Sequence, residues 1–114
     1  MSRQSSYYQR IKQLRKLNDQ FRANVVADAV CLSPALKFLP PEMIHDIIEQ
    51  VKCFRNFHPL DARIDEHKLG FFEFRETMLY WHIEYRHPHL AEAPLDPTHP
   101  STRRILHIGL AVER

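Results

Sequence analysis

Only two glycines, Gly70 and Gly109, occur in a chain of 114 residues. That scarcity excludes the glycine-rich loops with which a backbone wraps a phosphate. Cysteine is equally rare, and Cys31 and Cys53 form no Cys-x-x-Cys pair. A disulfide framework and a zinc ribbon are therefore excluded, and both residues are expected to be small buried hydrophobes in a reducing compartment. No window approaches the roughly 18 apolar residues of a membrane span, and the opening Met1-Ser2-Arg3-Gln4-Ser5 has no apolar stretch of the signal-peptide kind. These absences predict a cytoplasmic protein without a membrane partner. An excess of one charge is missing too: 16 Lys and Arg stand against 14 Asp and Glu, for a net charge of +2. A strongly acidic mimic of DNA is thereby ruled out. Ser33, Ser101 and Thr102 lack a nucleophile elbow around them.

What is present reads as one folded unit. Hydrophobic residues make up 44% of the chain, enough for a single domain over residues 1–114 with one modest core. Residues 1–5 are expected to be a flexible N-terminus. Ser6 and Gln9 form a capping box, and Tyr7, Ile11, Leu14, Leu17 and Phe21 follow at helical spacing, predicting a helix over 6–22. The run Val25 to Leu32, bounded by Asn24 and Ser33-Pro34, favours a strand. Pro40-Pro41-Glu42 opens a second helix over 41–54, with Ile44, Ile47, Ile48, Val51 and Phe54 as its apolar stripe.

Segments 56–68 and 87–102 read as long loops. The first holds His58-Pro59, Asp61, Asp65, Glu66 and His67, and the second carries four prolines, at 88, 94, 97 and 100. Between them, near-strict alternation from Gly70 to Tyr85 predicts a hairpin turning at Glu76-Thr77, which would set Phe74 opposite Leu79, Phe72 opposite Trp81 and Gly70 opposite Ile83. Arg104 to Val112 alternates again as a final strand. The fold class is therefore α+β, in αβαβββ order. Two helices are expected to cover one face of a four-stranded, largely antiparallel sheet, on the side of Phe72, Phe74, Leu79, Trp81, Ile83, Leu106, Ile108 and Leu110.

The other sheet face supplies the leading candidate site. Phe71, Tyr80, His82, Glu84 and His107 make an aromatic and imidazole patch of the composition found at protein interfaces. That composition favours a small non-catalytic binding protein with no cofactor, its partner a protein or ribonucleoprotein complex and its oligomeric state open. Two other classes compete. A metal-assisted hydrolase would use Glu66, His67, His82, Glu84 and His107, although the downstream cysteines of the zinc deaminases are absent and the favoured reading has no metal. A nucleic-acid binder would use the basic first helix through Arg10, Lys12, Arg15, Lys16 and Arg22, with Tyr7 and Tyr8 for stacking. Glu66, His67, Asp96 and Arg104 are assigned to positioning the loops, with Arg104 paired to Asp96 or Glu84.

Leu17-Asn18-Asp19-Gln20-Phe21-Arg22, Glu66-His67 with Gly70, Phe72-Glu73, Trp81-His82-Ile83-Glu84-Tyr85, Asp96-Pro97 with Pro100, and Arg104-Ile105-Leu106 occur in this order. In combination they resemble the bacterial domain of unknown function 3768 family, over about Leu14 to Val112. The chain departs from the family pattern at Lys68, where an acid is usual, and at Arg75-Glu76-Thr77, where a tight glycine turn is usual. The resemblance implies the same αβαβββ layout and a mobile-element setting. It further implies an accessory or inhibitor acting on a host complex, such as a CRISPR-type defence machine.

Overall fold

The computed structural model describes residues 3–57, 65–87, 95–99 and 101–114. Asp61, the His58-Pro59 pair, Pro100 and the segment 88–94, all assigned to loops from the sequence, lie outside these residues. The first helix, α1, spans Arg3–Ala23. It takes in residues 3–5, which the sequence assigned to a flexible terminus, because Arg3-Gln4-Ser5 holds no helix breaker; the Ser6 and Gln9 pair is therefore inside the helix rather than at its cap.

The expected strand over Val25 to Leu32 shrinks to β1, Val30–Leu32, preceded by a 3-10 turn at Ala27–Ala29. Two alanines and an aspartate have little to gain on a pleated surface, so only the β-branched and leucine end pairs. A one-turn helix, α2 (Pro34–Lys37), follows and places Leu36 in the core. The next helix, α3, spans Pro41–Lys52 and turns Ile47 and Val51 inward. It ends slightly earlier than its apolar stripe, with Phe54 buried just beyond.

The remaining strands are β2 (Leu69–Phe74), β3 (Thr77–Arg86) and β4 (Arg103–Leu110). Spatial order is β1-β4-β3-β2, with β1 parallel to β4 and the other pairs antiparallel. The hairpin register differs from the expected one. Phe74 faces Thr77, Phe72 faces Leu79 and Gly70 faces Trp81, because the turn is made by Arg75 and Glu76 alone, with φ of 48° and 69°. Positive φ at both central residues is the turn geometry whose twist matches a hairpin. The slip is two residues, so every side chain keeps its expected face.

Leu36, Ile47, Val51, Phe54, Phe74, Leu79, Trp81, Ile83, Leu106 and Ile108 form the core, and Phe72 and Leu110 pack against it half-buried. Trp81 is wholly buried, which requires Gly70 opposite it: a Cβ there would lie 2.4 Å from the indole Nε1. Cys31 and Cys53 are both exposed, contrary to expectation. Cys31 alternates outward between Val30 and Leu32, and Cys53 follows the last residue of α3, off the stripe that Val51 and Phe54 share. Among the described residues, no helix is long and apolar enough to cross a membrane.

Candidate functional site

The alternation of β3 and β4 sends Tyr80, His82, Glu84, Ile105 and His107 to the face opposite the core, and β2 adds Leu69 and Phe71. The register lines up Cys31, His107, His82 and Leu69 as one row across four strands, with Gly109, Tyr80 and Phe71 as the next. The Tyr80 ring lies against Gly109, where a Cβ would come within 2.9 Å of it, and Arg114 sits 5.6 Å from the ring centroid. Phe71 and Met78 are about half exposed on this side, at 45% and 49%.

The polar part of the patch is held by one carboxylate. Glu84 accepts from His107 Nε2 at 2.6 Å and from Arg86 Nε at 2.7 Å, with a weaker contact to the second Arg86 nitrogen at 3.3 Å. An ionised carboxylate only accepts, so the proton of this pair sits on His107 Nε2. Hydrogen bonds from Arg86 first and His107 second pull the Glu84 carboxyl down to about 2. His82 stands apart, its ring centroid 6.3 Å from that of His107. Burial, reinforced by the positive charges of Arg114 and Lys68 and by His107, pushes its pKa below the ordinary imidazole value.

The five residues of the hydrolase reading are not brought together. His82, Glu84 and His107 share the outer face, whereas His67 leaves the alternation through a left-handed backbone, φ 57°, and stacks on Phe57 at 3.6 Å on the helix side. Glu66 pairs with Lys68 at 3.1 Å. Among the described residues no group of three metal-capable side chains assembles, and both Glu84 oxygens are occupied by cationic donors. The basic helix is also depleted as a phosphate surface. Arg22 is buried at 4% exposure, Arg15 donates to the Asp65 carbonyl at 2.6 Å and Arg10 pairs with Asp96 at 3.3 Å. Of the five named cations, Lys12 and Lys16 alone are exposed without such a polar partner among the described residues, and Lys12 lies over the Tyr8 ring.

Sequence reasoning missed a buried polar network between α1 and the sheet. Asn18, wholly buried, donates from Nδ2 to the Glu66 carbonyl at 2.9 Å and to the Tyr85 hydroxyl at 2.7 Å, while Arg104 Nε donates to its Oδ1 at 2.8 Å. Arg104 also donates to the Pro97 carbonyl at 2.6 Å. Its partners are thus Asn18 and a backbone carbonyl, rather than the expected Asp96 or Glu84, because Asp96 turns to Thr98 and Glu84 lies on the other face. Next to Asn18, Asp19 accepts from His67 Nδ1 at 3.0 Å and from Arg22 at 3.2 Å. Arg22 in turn caps the end of α3 by donating to the carbonyls of Val51 and Phe54, and lies between the Trp81 and Phe57 rings. The available signal was a polar residue four positions after Leu14 on an apolar stripe.

Within this network Asn18 Nδ2, Arg22 and Arg104 each donate to an acceptor, which ties α1 to α3 and to the sheet. The outer face is the arrangement with free contact area. No curated protein and no solved structure matches the chain. A family model described as "Protein of unknown function (DUF3768)" matches residues 32–113, from the end of β1 to the C-terminal turn. The match leaves α1 outside, although part of the resemblance lay there. With well over half of the chain matched, the protein belongs to the DUF3768 family.

Proposed function

We propose that the protein is a small non-catalytic binding protein that presents the outer face of its sheet to a protein partner. The observation that carries this reading is the half exposure of Phe71 and Met78 beside Tyr80 and Leu69 on a face over which α1, α2 and α3 do not pack. Aromatic and methionine side chains around a satisfied polar pair are the composition of interface cores rather than of ordinary surface. Glu84, His107 and Arg86 would then set register, since they already neutralise one another and require no charged partner. Arg86, at the end of β3, is held by Glu84 and offers this face no free guanidinium for a phosphate.

The partner is best sought in a protein or ribonucleoprotein complex of the host. Small size and the mobile-element setting of the resembling family support an accessory or inhibitory role there, acting by contact and not by turnover. Binding by the purified candidate partner is measured calorimetrically against two sets of variants. Phe71→Ala should weaken affinity by about 2 kcal/mol or more, as interface anchors do, with the melting temperature preserved. Lys12→Glu with Lys16→Glu should chiefly slow association. Loss of binding in the lysine variant with Phe71→Ala silent would move the functional surface to α1.

A further inference from the structure

Phe38 is 92% exposed at the end of α2. Five other phenylalanines, Phe21, Phe54, Phe57, Phe72 and Phe74, belong to the core or pack against it. A single exposed apolar side chain is ordinary. This one, however, stands between Leu36 and Leu39, which line an open apolar cavity of about 230 Å³ at the turn end of the sheet. Met43 and Ile47 of α3 form one wall, Phe74, Leu79 and Leu110 the other, and Ala35 and Thr77 the rim. A cavity of about 150 Å³ lined by such residues accommodates benzene, so this one has room for a phenyl ring.

We propose that two copies of the chain associate through this end, each placing Phe38 in the cavity of the other. The argument for a second copy rather than a foreign chain is self-complementarity. The protruding ring shares a short stretch with Ala35, Leu36 and Leu39 on one side of the cavity, so ring and cavity are neighbours and one two-fold operation fills both cavities and covers both rings. A foreign segment that filled the cavity would leave Phe38 in water. Charges on the two sides agree with this. Lys37 precedes the ring and Glu76 stands at the hairpin tip beside the rim, both exposed, while Arg75 is laid over the Phe74 ring at 5.5 Å. Seating Phe38 brings Lys37 of one copy toward Glu76 of the other. One ring and one cavity from each copy make a small contact beside the roughly 1,200 Å² of stable complexes, so the dimer is weak and concentration-dependent.

Sedimentation equilibrium on the full chain, from about 10 μM to about 1 mM, covers the range over which a small interface dissociates. The wild type should pass from monomer to dimer and stop there. Phe38→Ser should remain monomeric throughout with an unchanged melting temperature, since the side chain makes no folded-state contact to lose. Ala35→Trp, which blocks the rim while leaving Phe38 intact, should also remain monomeric, whereas Phe71→Ala should dimerise as the wild type does. A wild type that stays monomeric at the highest concentration, undiminished dimer in Phe38→Ser, or growth beyond dimer would each overturn the proposal. The outer-face reading is unaffected by any of these results.

Discussion

Replacing Asn18 by alanine tests whether the buried network, and not apolar contact alone, fixes α1 on the sheet. Three hydrogen bonds disappear at once: two from Nδ2 to the Glu66 carbonyl and the Tyr85 hydroxyl, and one accepted from the Arg104 guanidinium. Neutral bonds contribute about 0.5–1.5 kcal/mol each and one to a charged group about 1.5–3. Full additivity would give several kcal/mol, but water reaches Arg104 and Tyr85 from their half-buried side and offsets part of it. The expected cost is therefore about 3 kcal/mol, and at about 4–8 °C per kcal/mol for a domain near this size the melting temperature should fall by roughly 12–24 °C. Urea denaturation followed by far-UV circular dichroism gives the free energy, and thermal melts give the second reading. A double-mutant cycle with Tyr85→Phe should show coupling, since the two side chains share a bond. If Asn18→Ala melts within about 3 °C of the wild type, the network contributes little and the helix is held by Ile11 and Leu14.

Three further predictions concern stability. Trp81→Ala should cost about 3–5 kcal/mol as the core collapses around a lost ring, whereas Trp81→Phe should cost well under half of that, because the indole N–H has no hydrogen-bond partner among the described residues; equal losses in urea melts would contradict this. Changing Arg75→Asn with Glu76→Gly should stabilise by about 1 kcal/mol, since both positions hold left-handed φ that costs other residues about 1–2 kcal/mol each; an unchanged midpoint would show that the turn is not strained. The pH dependence has two windows. Protonating His82 is harder folded than unfolded, so its contribution is whole above the unfolded value of 6.5 and is lost as pH falls through the lower folded value. Glu84 loses its contribution between 4.5 and about 2. His82→Gln should flatten the melting profile just below pH 6.5 and leave the acid limb in place; a profile identical to wild type would refute the burial argument.

Period-2 alternation made the hairpin, the last strand and both sheet faces legible, because a register slip of two residues does not exchange faces. The turn itself was misplaced, since Arg75-Glu76 carries none of the glycine or asparagine that marks positive φ. The parallel pairing of β1 with β4 was not legible either, as three residues carry too little pattern to fix a partner. At the candidate site, alternation alone grouped His82, Glu84 and His107. The hydrolase reading drew Glu66 and His67 from the adjoining loop, where no periodicity fixes a face, and one left-handed residue turns His67 toward Asp19 and Phe57. Charge content likewise made α1 look like a phosphate surface until burial assigned Arg22 to the end of α3 and Arg15 to the Asp65 carbonyl.

The central claim, that the outer sheet face receives a protein partner, is tested most directly by quantitative co-purification from the native cell with wild type, Phe71→Ala, Tyr80→Ala and the Lys12→Glu, Lys16→Glu pair side by side. A single protein or ribonucleoprotein complex should be recovered with the wild type and with the lysine variant, and lost from both aromatic variants at unchanged folded-state stability. Recovery that is equal across the aromatic variants and abolished by the lysine changes would contradict the account.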